Sequence, residues 1–355
     1  MSDGQSFIFI LSAFYLWESI YWVRPQSVRF VRYFNRWRLS VATDLLYGRK
    51  RAIVFTPIPG LIFPQFIGSE LPYTFNEIAL KPNVGPPLSW EELQIKQEGT
   101  TLYLKKNETL VFPSGIQAAA SAQLLKEMAQ KPKEERAKCI RQFYRKHLSS
   151  THSKRLIQKA IIATNTLRFN GLFLMLLCFV IIPYFYIFNK SSLHFVITLS
   201  ITVLMVIYQT FLAYFVARRL YPGKRKYNLI TALSTLFPWQ AMHVGQHLMS
   251  NVLSMQHPLA ISAALLPHKD LCAKASSYLR KMKYSSNQAL SPPLKIELQE
   301  FLNREGIETK SLFLAPKKTA NETASYCPCC HAQFRKGFST CSDCHEVALI
   351  SFPNE

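Results

Sequence analysis

Four of the eight cysteines in this 355-residue chain form two closely spaced pairs near its end. Cys327 and Cys330 belong to one CxxC pattern, Cys341 and Cys344 to a second, and ten residues separate the two patterns. A CxxC turn presents two thiolates to one side, and Zn²⁺ takes four tetrahedral ligands. Gly337, near the middle of the intervening stretch, suits a hairpin that brings the pairs together. The spacing therefore predicts a structural Zn²⁺ site.

The residues around these cysteines resemble the zinc-ribbon family. Tyr326, a CPxC knuckle, the aromatic Phe334, a second CxxC and the aliphatic pair Leu349-Ile350 follow one another, and the resemblance covers only residues 326–350. Carried over to this chain, it implies a structural zinc with no open coordination position. The implied ligands are Cys327, Cys330, Cys341 and Cys344.

Three neighbours of the ligands depart from the ribbon pattern or add to it. Ribbons often have glycine after each second cysteine, whereas this chain has His331 and His345, and histidine is enriched among non-glycine residues at positive φ. Whether one of these histidines acts as a ligand is left open by the sequence. Cys329 is a spare thiol, and we interpret it as an incidental neighbour of the metal rather than a redox group. The remaining cysteines are scattered, which argues against a disulfide framework.

A second candidate site consists of His243 and His247, one helical turn apart, with His257 nearby. Two imidazoles at this spacing can bind a metal. However, residues 227–268 contain no Asp or Glu, so the glutamate base of an HExxH motif is missing. Packing on a helix face is the simpler interpretation of these histidines. The chain also has no GxSxG elbow and no phosphate-binding glycine loop, so the sequence predicts no catalytic residue and no further cofactor.

Two uncharged apolar windows, residues 171–188 and 195–217, dominate the middle of the chain. As helices they reach about 27 and about 35 Å, against a hydrocarbon thickness of about 30 Å. Only six residues separate them, so we predict a transmembrane helical hairpin over residues 167–217. Pro183 is expected to kink the first helix rather than end it. A buried helix pair in a soluble protein is the alternative, but such long uncharged runs are rare in soluble cores.

Lysines and arginines flank this hairpin on both outer sides. Residues 126–159 hold eleven Lys and Arg against three Glu, residues 218–226 hold five and no acid, and the connecting loop holds only Lys190. By the positive-inside rule both flanks and the C-terminus are cytoplasmic, which predicts a multi-pass protein of the plasma (inner) membrane. A fourth span within residues 227–268 is disfavoured, because it would place the lysines of residues 269–283 outside.

The N-terminal apolar stretch, residues 7–23, is either a further span or a helix lying in the membrane interface. We favour the span, with residues 1–23 as an N-terminal membrane helix, because arginines follow it directly. Residues 24–51 are then a basic juxtamembrane segment, expected to be helical with its aromatic rings at headgroup level. The net charge of +21 lies largely in such flanks, so we do not expect nucleic acid as the partner.

The other segments predict small cytoplasmic units. Apolar and polar residues alternate in residues 93–112 around turns at Glu98-Gly99 and Lys106-Asn107, which indicates a three-stranded meander. Ser114 can cap a following helix, so residues 52–160 are expected to form a β-meander-plus-helix unit. Residues 218–306 predict a membrane-proximal helical region with a helix starting at Pro258, and residues 307–325 a polar tether to the ribbon.

The predicted fold class is α+β. It is mainly helical, with a transmembrane helical hairpin, a small cytoplasmic β-meander and helix unit, and a C-terminal zinc ribbon. The leading hypothesis is a membrane scaffold or accessory subunit, not an enzyme, whose partners are the lipid bilayer and a protein or a larger membrane complex. One alternative is a membrane enzyme or transporter component that uses residues 227–268, and a weaker one is a membrane-tethered nucleic-acid binder.

Overall fold

The fold is taken from a computed structural model of the chain. The structure describes residues 3–23, 28–33, 36–41, 52–55, 65–68, 70–82, 85–105, 108–112, 114–186, 192–284, 291–320, 322–344 and 347–352. The predicted turn at Lys106-Asn107, residues 189–191 of the loop between the two apolar windows and His345 lie outside these residues, as do Pro57, Pro59 and Pro64.

Helices make up most of the described chain. They are α1 (Asp3–Glu18), α2 (Gly115–Gln130), α3 (Lys133–His147), α4 (Ser150–Leu176), α5 (Ile182–Tyr184), α6 (Ser192–Leu220), α7 (Arg225–Ser234), α8 (Pro238–Leu253), α9 (Pro258–Leu265), α10 (His268–Tyr284) and α11 (Pro292–Arg304). The strands are short: β1 (Ile20–Val23), β2 (Val28–Tyr33), β3 (Arg36–Val41), β4 (Ala52–Phe55), β5 (Gln65–Gly68), β6 (Tyr73–Phe75), β7 (Ala79–Pro82), β8 (Leu88–Ser89), β9 (Lys96–Glu98), β10 (Thr101–Lys105), β11 (Glu108–Val111), β12 (Thr323–Tyr326), β13 (Gln333–Arg335) and β14 (Ile350–Ser351). The α+β class is confirmed.

The chain divides into two compact units whose sequences interleave. The first unit consists of Met1–Glu70, Pro113–Gln117 and Ser153–Pro258, and the second of Leu71–Phe112, Ala118–His152 and Leu259–Glu355. Each predicted segment 52–160 and 218–306 is therefore shared between the two units. Contacts between residues far apart in sequence define these units. The domain boundaries predicted along the chain are a different division, and they stay predictions.

Two helices of the first unit are long and apolar enough to cross a membrane, judged by length and composition. They cover Ser150–Tyr184 and Leu193–Leu220. The first continues from α4 through a π-helical turn, Leu177–Ile181, into α5, so it does not end at Pro183, as predicted. A π-turn before a proline accommodates the missing N–H and the ring. Only 39% and 22% of the two apolar windows are buried, unlike the core helices of a soluble protein.

The N-terminal apolar stretch is not one continuous helix, contrary to our expectation for residues 7–23. Helix α1 ends at Glu18, and the Ser19 hydroxyl donates a hydrogen bond to the Tyr15 carbonyl at 2.7 Å. Residues 20–23 form β1, which pairs antiparallel with β4. The sequence Ile-Tyr-Trp-Val is rich in β-branched and aromatic residues, which favour extended backbone.

The basic juxtamembrane segment is also extended where the structure describes it, and the expectation of a helix was wrong. Strand β2 pairs antiparallel with β3 and β5. Val28 and Phe30 of β2 are buried, and Phe30 stacks on Phe66 of β5 with ring centroids 5.0 Å apart. Val28, Arg29 and Phe30 alternate between apolar and basic residues, which is the period of a strand. The prediction of a helix relied on the number of arginines and did not use this alternation.

The second unit contains the predicted meander and its helix. Strands β9, β10 and β11 form an antiparallel sheet in the order β11-β10-β9, with Gly99 at a φ of 55° in the first turn. Leu102 and Leu104 of β10 are fully buried. Helix α2 begins after Ser114, whose hydroxyl accepts a hydrogen bond from the Gln117 N–H at 3.4 Å. Both local predictions are confirmed.

One apolar core joins this meander to helices from much later in the chain. The sheet β6-β7-β8, helices α2 and α3, and helices α9 to α11 all contribute side chains to it. Phe75, Leu125, Ile140 and Phe301 are among its fully buried members. Arg145 of α3 forms ion pairs with Glu297 and Glu300 of α11 at 3.7 and 3.1 Å. The second unit therefore has the construction of an ordinary globular domain.

Candidate metal centre

The first cysteine pair lies in a tight turn between β12 and β13. These strands are antiparallel, with Tyr326 opposite Gln333. The Cys327 N–H donates to the Ala332 carbonyl at 2.9 Å, and the His331 N–H donates to the Cys327 carbonyl at 2.9 Å. His331 has a φ of 65°, the left-handed conformation that ribbons commonly give to glycine. The expectation that histidine tolerates this position is confirmed.

The second pair lies in a matching turn. The Cys341 N–H donates to the Val347 carbonyl at 2.9 Å, and the Leu349 N–H donates to the Ser339 carbonyl at 3.0 Å. Gly337, at a φ of 108°, lies in the turn that follows β13. β14 then pairs with β12, so that the three strands have the order β13-β12-β14. The small sheet holds both turns at the same end.

The four cysteine sulfur atoms meet in one cluster. The Sγ atoms of Cys327, Cys330, Cys341 and Cys344 all lie within 4.8 Å of one another, and Cys330 and Cys341 are 3.6 Å apart. Zn–S bonds of about 2.3 Å in a tetrahedron place sulfurs about 3.8 Å apart. The Ala332 N–H also points to the Cys330 Sγ at 3.5 Å, as expected for a partner that supports a thiolate ligand. The donor set fits structural Zn²⁺, which would cross-link the two turns.

The neighbours of this cluster are not additional ligands among the described residues. His331 lies outside the group of four donors and packs edge-on against Tyr326, with ring centroids 6.0 Å apart. Cys329 is 4% exposed, and burial raises the pKa of its thiol. A buried thiol is poorly accessible to oxidants and to other thiols. The interpretation of Cys329 as an incidental neighbour agrees with this environment.

Sequence reasoning missed the residues that hold the small cysteine-bearing sheet, β12 to β14 with its two turns and called the ribbon below, against helix α10. The Arg280 guanidinium of α10 donates to the Cys329 carbonyl at 3.3 Å and to the Ser276 hydroxyl at 2.6 Å. Ser276 in turn donates to the Leu312 carbonyl at 2.6 Å. Tyr284 also packs against the buried cysteines. No local pattern predicts such contacts, because 49 residues separate Arg280 from Cys329.

The segment predicted as a tether is held at both ends. Near its start, Lys310–Phe313 form a 3₁₀ turn, and Leu312 is buried in the core of the second unit. Near its end, the Gln333 side chain donates to the Lys317 carbonyl at 2.7 Å and accepts from the Thr319 N–H at 3.0 Å. The ribbon is therefore anchored to the rest of the second unit.

The histidine pair forms a different kind of site. His243 is 1% exposed; its Nε2 lies 3.2 Å from the Ser19 hydroxyl, and its Nδ1 lies 3.4 Å from the Gln246 side-chain oxygen. Tyr15 stacks on the imidazole with ring centroids 5.1 Å apart. Among the described residues, the only group of three or more metal-donating side chains is the cysteine cluster. His243 and His247 belong to no group of three or more metal-donating side chains among the described residues.

A buried glutamine on the second apolar helix also escaped the sequence analysis. Gln209 is fully buried, and its amide nitrogen donates to the carbonyls of Leu167 and Ala241, both at 2.9 Å. Asn170 donates to the Gln209 side-chain oxygen at 3.0 Å. This single side chain links α4, α6 and α8. Its position as a polar residue within an uncharged apolar window could have identified it from the sequence.

No protein-family model, curated protein or solved structure matches this chain. Its function must therefore be inferred from the geometry described above.

Proposed function

We propose that the protein is an integral membrane scaffold or accessory subunit whose zinc ribbon contacts a protein partner. The observation that carries this proposal is a cluster of four cysteine sulfurs, compatible with a structural zinc site, in a small module that presents the aromatic side chain of Phe338 outward. The two long apolar helices supply the membrane anchor. The proposal assigns binding rather than catalysis to the chain.

The outward faces of the apolar helices support the membrane anchor. Leu193, Leu204 and Phe211 of α6 are each more than 60% exposed. The stretch from Leu193 to Ala217 contains no charged residue. Burying apolar surface is worth about 25 cal/mol per Å², so water around this face would be strongly unfavourable. A bilayer removes that penalty. The basic flanks support a cytoplasmic location for the start of α4 and the end of α6, by the positive-inside rule.

The ribbon supports the contact with a protein. Phe338 is 63% exposed in the stretch between the two cysteine turns, and Phe334 lies beside it with ring centroids 5.9 Å apart. Arg335 and Lys336 are exposed next to these rings. Aromatic residues and arginine are enriched at the centres of protein interfaces. Because the ribbon is fixed to α10, this surface is preorganised for a partner.

The two alternative functions receive less support. A membrane enzyme or transporter that worked through His243 would need the imidazole to be accessible, but it is buried against Ser19, Tyr15 and Gln246. A nucleic-acid binder would use the positive charge. That charge is concentrated in the unit with the apolar helices, which has 18 Lys and Arg against four Asp and Glu, where anionic lipid headgroups already explain it.

The test is co-purification from gently solubilised membranes with single-residue variants. Phe338→Ala removes the exposed ring of the ribbon, and Leu314→Ala is a matched control because Leu314 is 66% exposed in the same unit but outside the ribbon. We expect a defined partner to be retained by the control and lost at least tenfold with Phe338→Ala. Equal retention by both variants, and by a chain truncated before Ser325, would contradict the proposed contact.

A further inference from the structure

Helices α7 and α8 form a hairpin that runs alongside α6. At the closed end, the hydroxyls of Thr235 and Thr210 are hydrogen-bonded at 3.0 Å. At the open end, the Tyr221 hydroxyl donates to the Leu248 carbonyl at 3.0 Å, and Asn251 donates to the Tyr227 hydroxyl at 2.9 Å. The hairpin therefore begins near the C-terminal end of α6 and turns beside its middle.

The depth of the turn follows from helix geometry. Eleven residues separate Thr210 from Tyr221, which corresponds to about 16 Å along α6. That is about half of a hydrocarbon layer about 30 Å thick. If α6 crosses the membrane, the turn at residues 235–237 lies near the bilayer midplane, and both open ends lie on one side.

The contact between α8 and α4 has the form of membrane helix packing. A Cβ on Gly171 of α4 would lie 2.5 Å from the Met242 carbonyl oxygen, and a Cβ on Gly245 of α8 would lie 2.8 Å from the Arg168 Cγ. Each helix thus uses a glycine to let the other approach closely. Small residues at the crossing and a few interhelical hydrogen bonds are the features that hold helices together in lipid, where burial from water contributes little.

The outward face of this hairpin is apolar, and its sequence is free of charge. Five large apolar side chains there are about half exposed: Leu229, Ile230, Leu233, Leu236 and Phe237. No Asp, Glu, Lys or Arg occurs from residue 227 to residue 268, whereas Lys224, Arg225 and Lys226 precede this stretch directly. Helical backbone satisfies its own hydrogen bonds at membrane depth, and basic residues remain at the interface.

We propose that α7 and α8 are a re-entrant hairpin, whose exposed apolar face contacts lipid acyl chains. It enters the bilayer from the side on which α6 ends, turns near the midplane and returns to the same side. This inference rests on the proposed membrane anchor. It differs from both earlier interpretations of residues 227–268, namely helices on the membrane surface and a fourth span.

The first experiment measures depth with a fluorescent nitrobenzoxadiazole label in reconstituted phosphatidylcholine vesicles. The non-ligand cysteines Cys139, Cys178, Cys272 and Cys329 are replaced by serine, and this background must take no label. Single cysteines then replace Leu236 at the turn, Leu229 near the open end, Leu204 on α6 and Leu314 outside the first unit. Quenching is compared for lipids that carry a nitroxide at acyl carbon 5 or carbon 12.

We expect the carbon-12 lipid to quench the labels at Leu236 and Leu204 at least twofold more than the carbon-5 lipid does. The label at Leu229 should show the reverse order. Leu314 should respond to neither. Quenching at Leu204 without quenching at Leu236 would overturn the re-entrant hairpin and leave the membrane anchor intact. No quenching at Leu204 would overturn the proposed anchor itself.

A second measurement separates a re-entrant hairpin from a fourth span. In the same cysteine background, Lys224→Cys and Lys269→Cys flank the uncharged segment, and both side chains are exposed. A membrane-impermeant maleimide added to intact cells should react with neither introduced cysteine. Both cysteines should react after the cells are permeabilised. Reaction of one variant but not the other in intact cells would establish a crossing between them and overturn the inference.

Discussion

The two units of the chain differ in how many large apolar side chains they expose. Among the described residues, 29 large apolar side chains of the first unit are exposed, against seven of the second. Both units bury some polar or charged side chains, Gln209 and His243 in the first and Arg136 and Glu297 in the second, so the difference lies in what is exposed. An exposed apolar surface of this kind is what the proposed membrane anchor requires of the first unit.

Charge follows the same division. The first unit has 18 Lys and Arg against four Asp and Glu, and the second has 24 against 17. The described ion pairs, such as Lys105–Glu92 and Arg145–Glu300, lie in the second unit. Surface ion pairs between basic and acidic residues are typical of a domain in water, while an excess of basic residues with few acids is typical of membrane flanks.

The largest effect that we expect concerns the metal of the second unit. Cys341→Ser removes a ligand, so bound zinc should fall from one per chain to nearly zero, and the residues around the ribbon should become sensitive to trypsin. Structural zinc sites contribute on the order of 10 kcal/mol of apparent binding free energy, which the small ribbon cannot replace. Elemental analysis and limited proteolysis measure both changes.

Cys329→Ser is the matched control for this prediction, because Cys329 lies in the first cysteine turn, beside two of the ligands, but outside the ligand group. It should retain the metal. If it loses zinc as completely as Cys341→Ser does, the assignment of the four ligands is wrong.

An intermediate effect should follow from a change at the crossing of α4 and α8. Gly171→Val places side-chain atoms against the Met242 backbone, which cannot withdraw as a flexible side chain could. We expect a loss of about 3 kcal/mol in unfolding free energy, the upper range for overpacking. Phe173→Val, two residues along on the exposed face, should change it by less than about 1 kcal/mol.

Unfolding in detergent micelles measures both variants. Equal stability of Gly171→Val and the unchanged chain would mean that α4 and α8 do not touch through their backbones. The expected difference in unfolding free energy between Gly171→Val and Phe173→Val would then be absent. That result would also contradict the view that the first unit is packed like a membrane bundle.

The smallest effect should come from Glu297, in the second unit. Its side chain is 5% exposed, and burial, together with the nearby Glu300, raises its pKa although Arg145 acts in the opposite direction. A carboxyl group with a raised pKa in the folded state favours folding at low pH, and this contribution is lost as the pH rises through the folded pKa. Glu297→Gln should therefore raise the melting temperature slightly at pH 7.

The advantage of Glu297→Gln should disappear as the pH falls below about 4, where glutamate is protonated in both states. Glu92→Gln, at an exposed residue paired with Lys105, serves as the control and should show no such pH-dependent gain. A melting temperature of Glu297→Gln below that of the unchanged chain at pH 7 would show that the ion pair with Arg145 outweighs burial.

Features set by neighbouring residues could be predicted from the sequence. The two CxxC turns, the meander around Gly99, the cap at Ser114 and the start of a helix at Pro258 each depend on a few consecutive residues. The same reasoning located both long apolar helices, because length and absence of charge suffice for that purpose.

Features set by distant residues could not be predicted. The strands β2 and β3 depend on pairing with β5, and the position of the ribbon depends on Arg280. The approach of α8 to α4 requires Gly171 to lie against Met242 and Gly245 to lie against Arg168, in each case across more than 70 residues of chain. Hydrophobic periodicity reports which face of an element is buried, but it does not identify the element that covers it.

The interleaving of the two units has a consequence for synthesis. A chain that has emerged as far as Pro258 contains every stretch of the first unit, but it lacks the helices α9 to α11 that close the core of the second. The first unit can thus assemble while the second is still incomplete. The sheets and early helices of the second unit wait for their remaining core residues, such as Leu298 and Phe301, until α11 leaves the ribosome. Chaperone demand should accordingly peak late in translation.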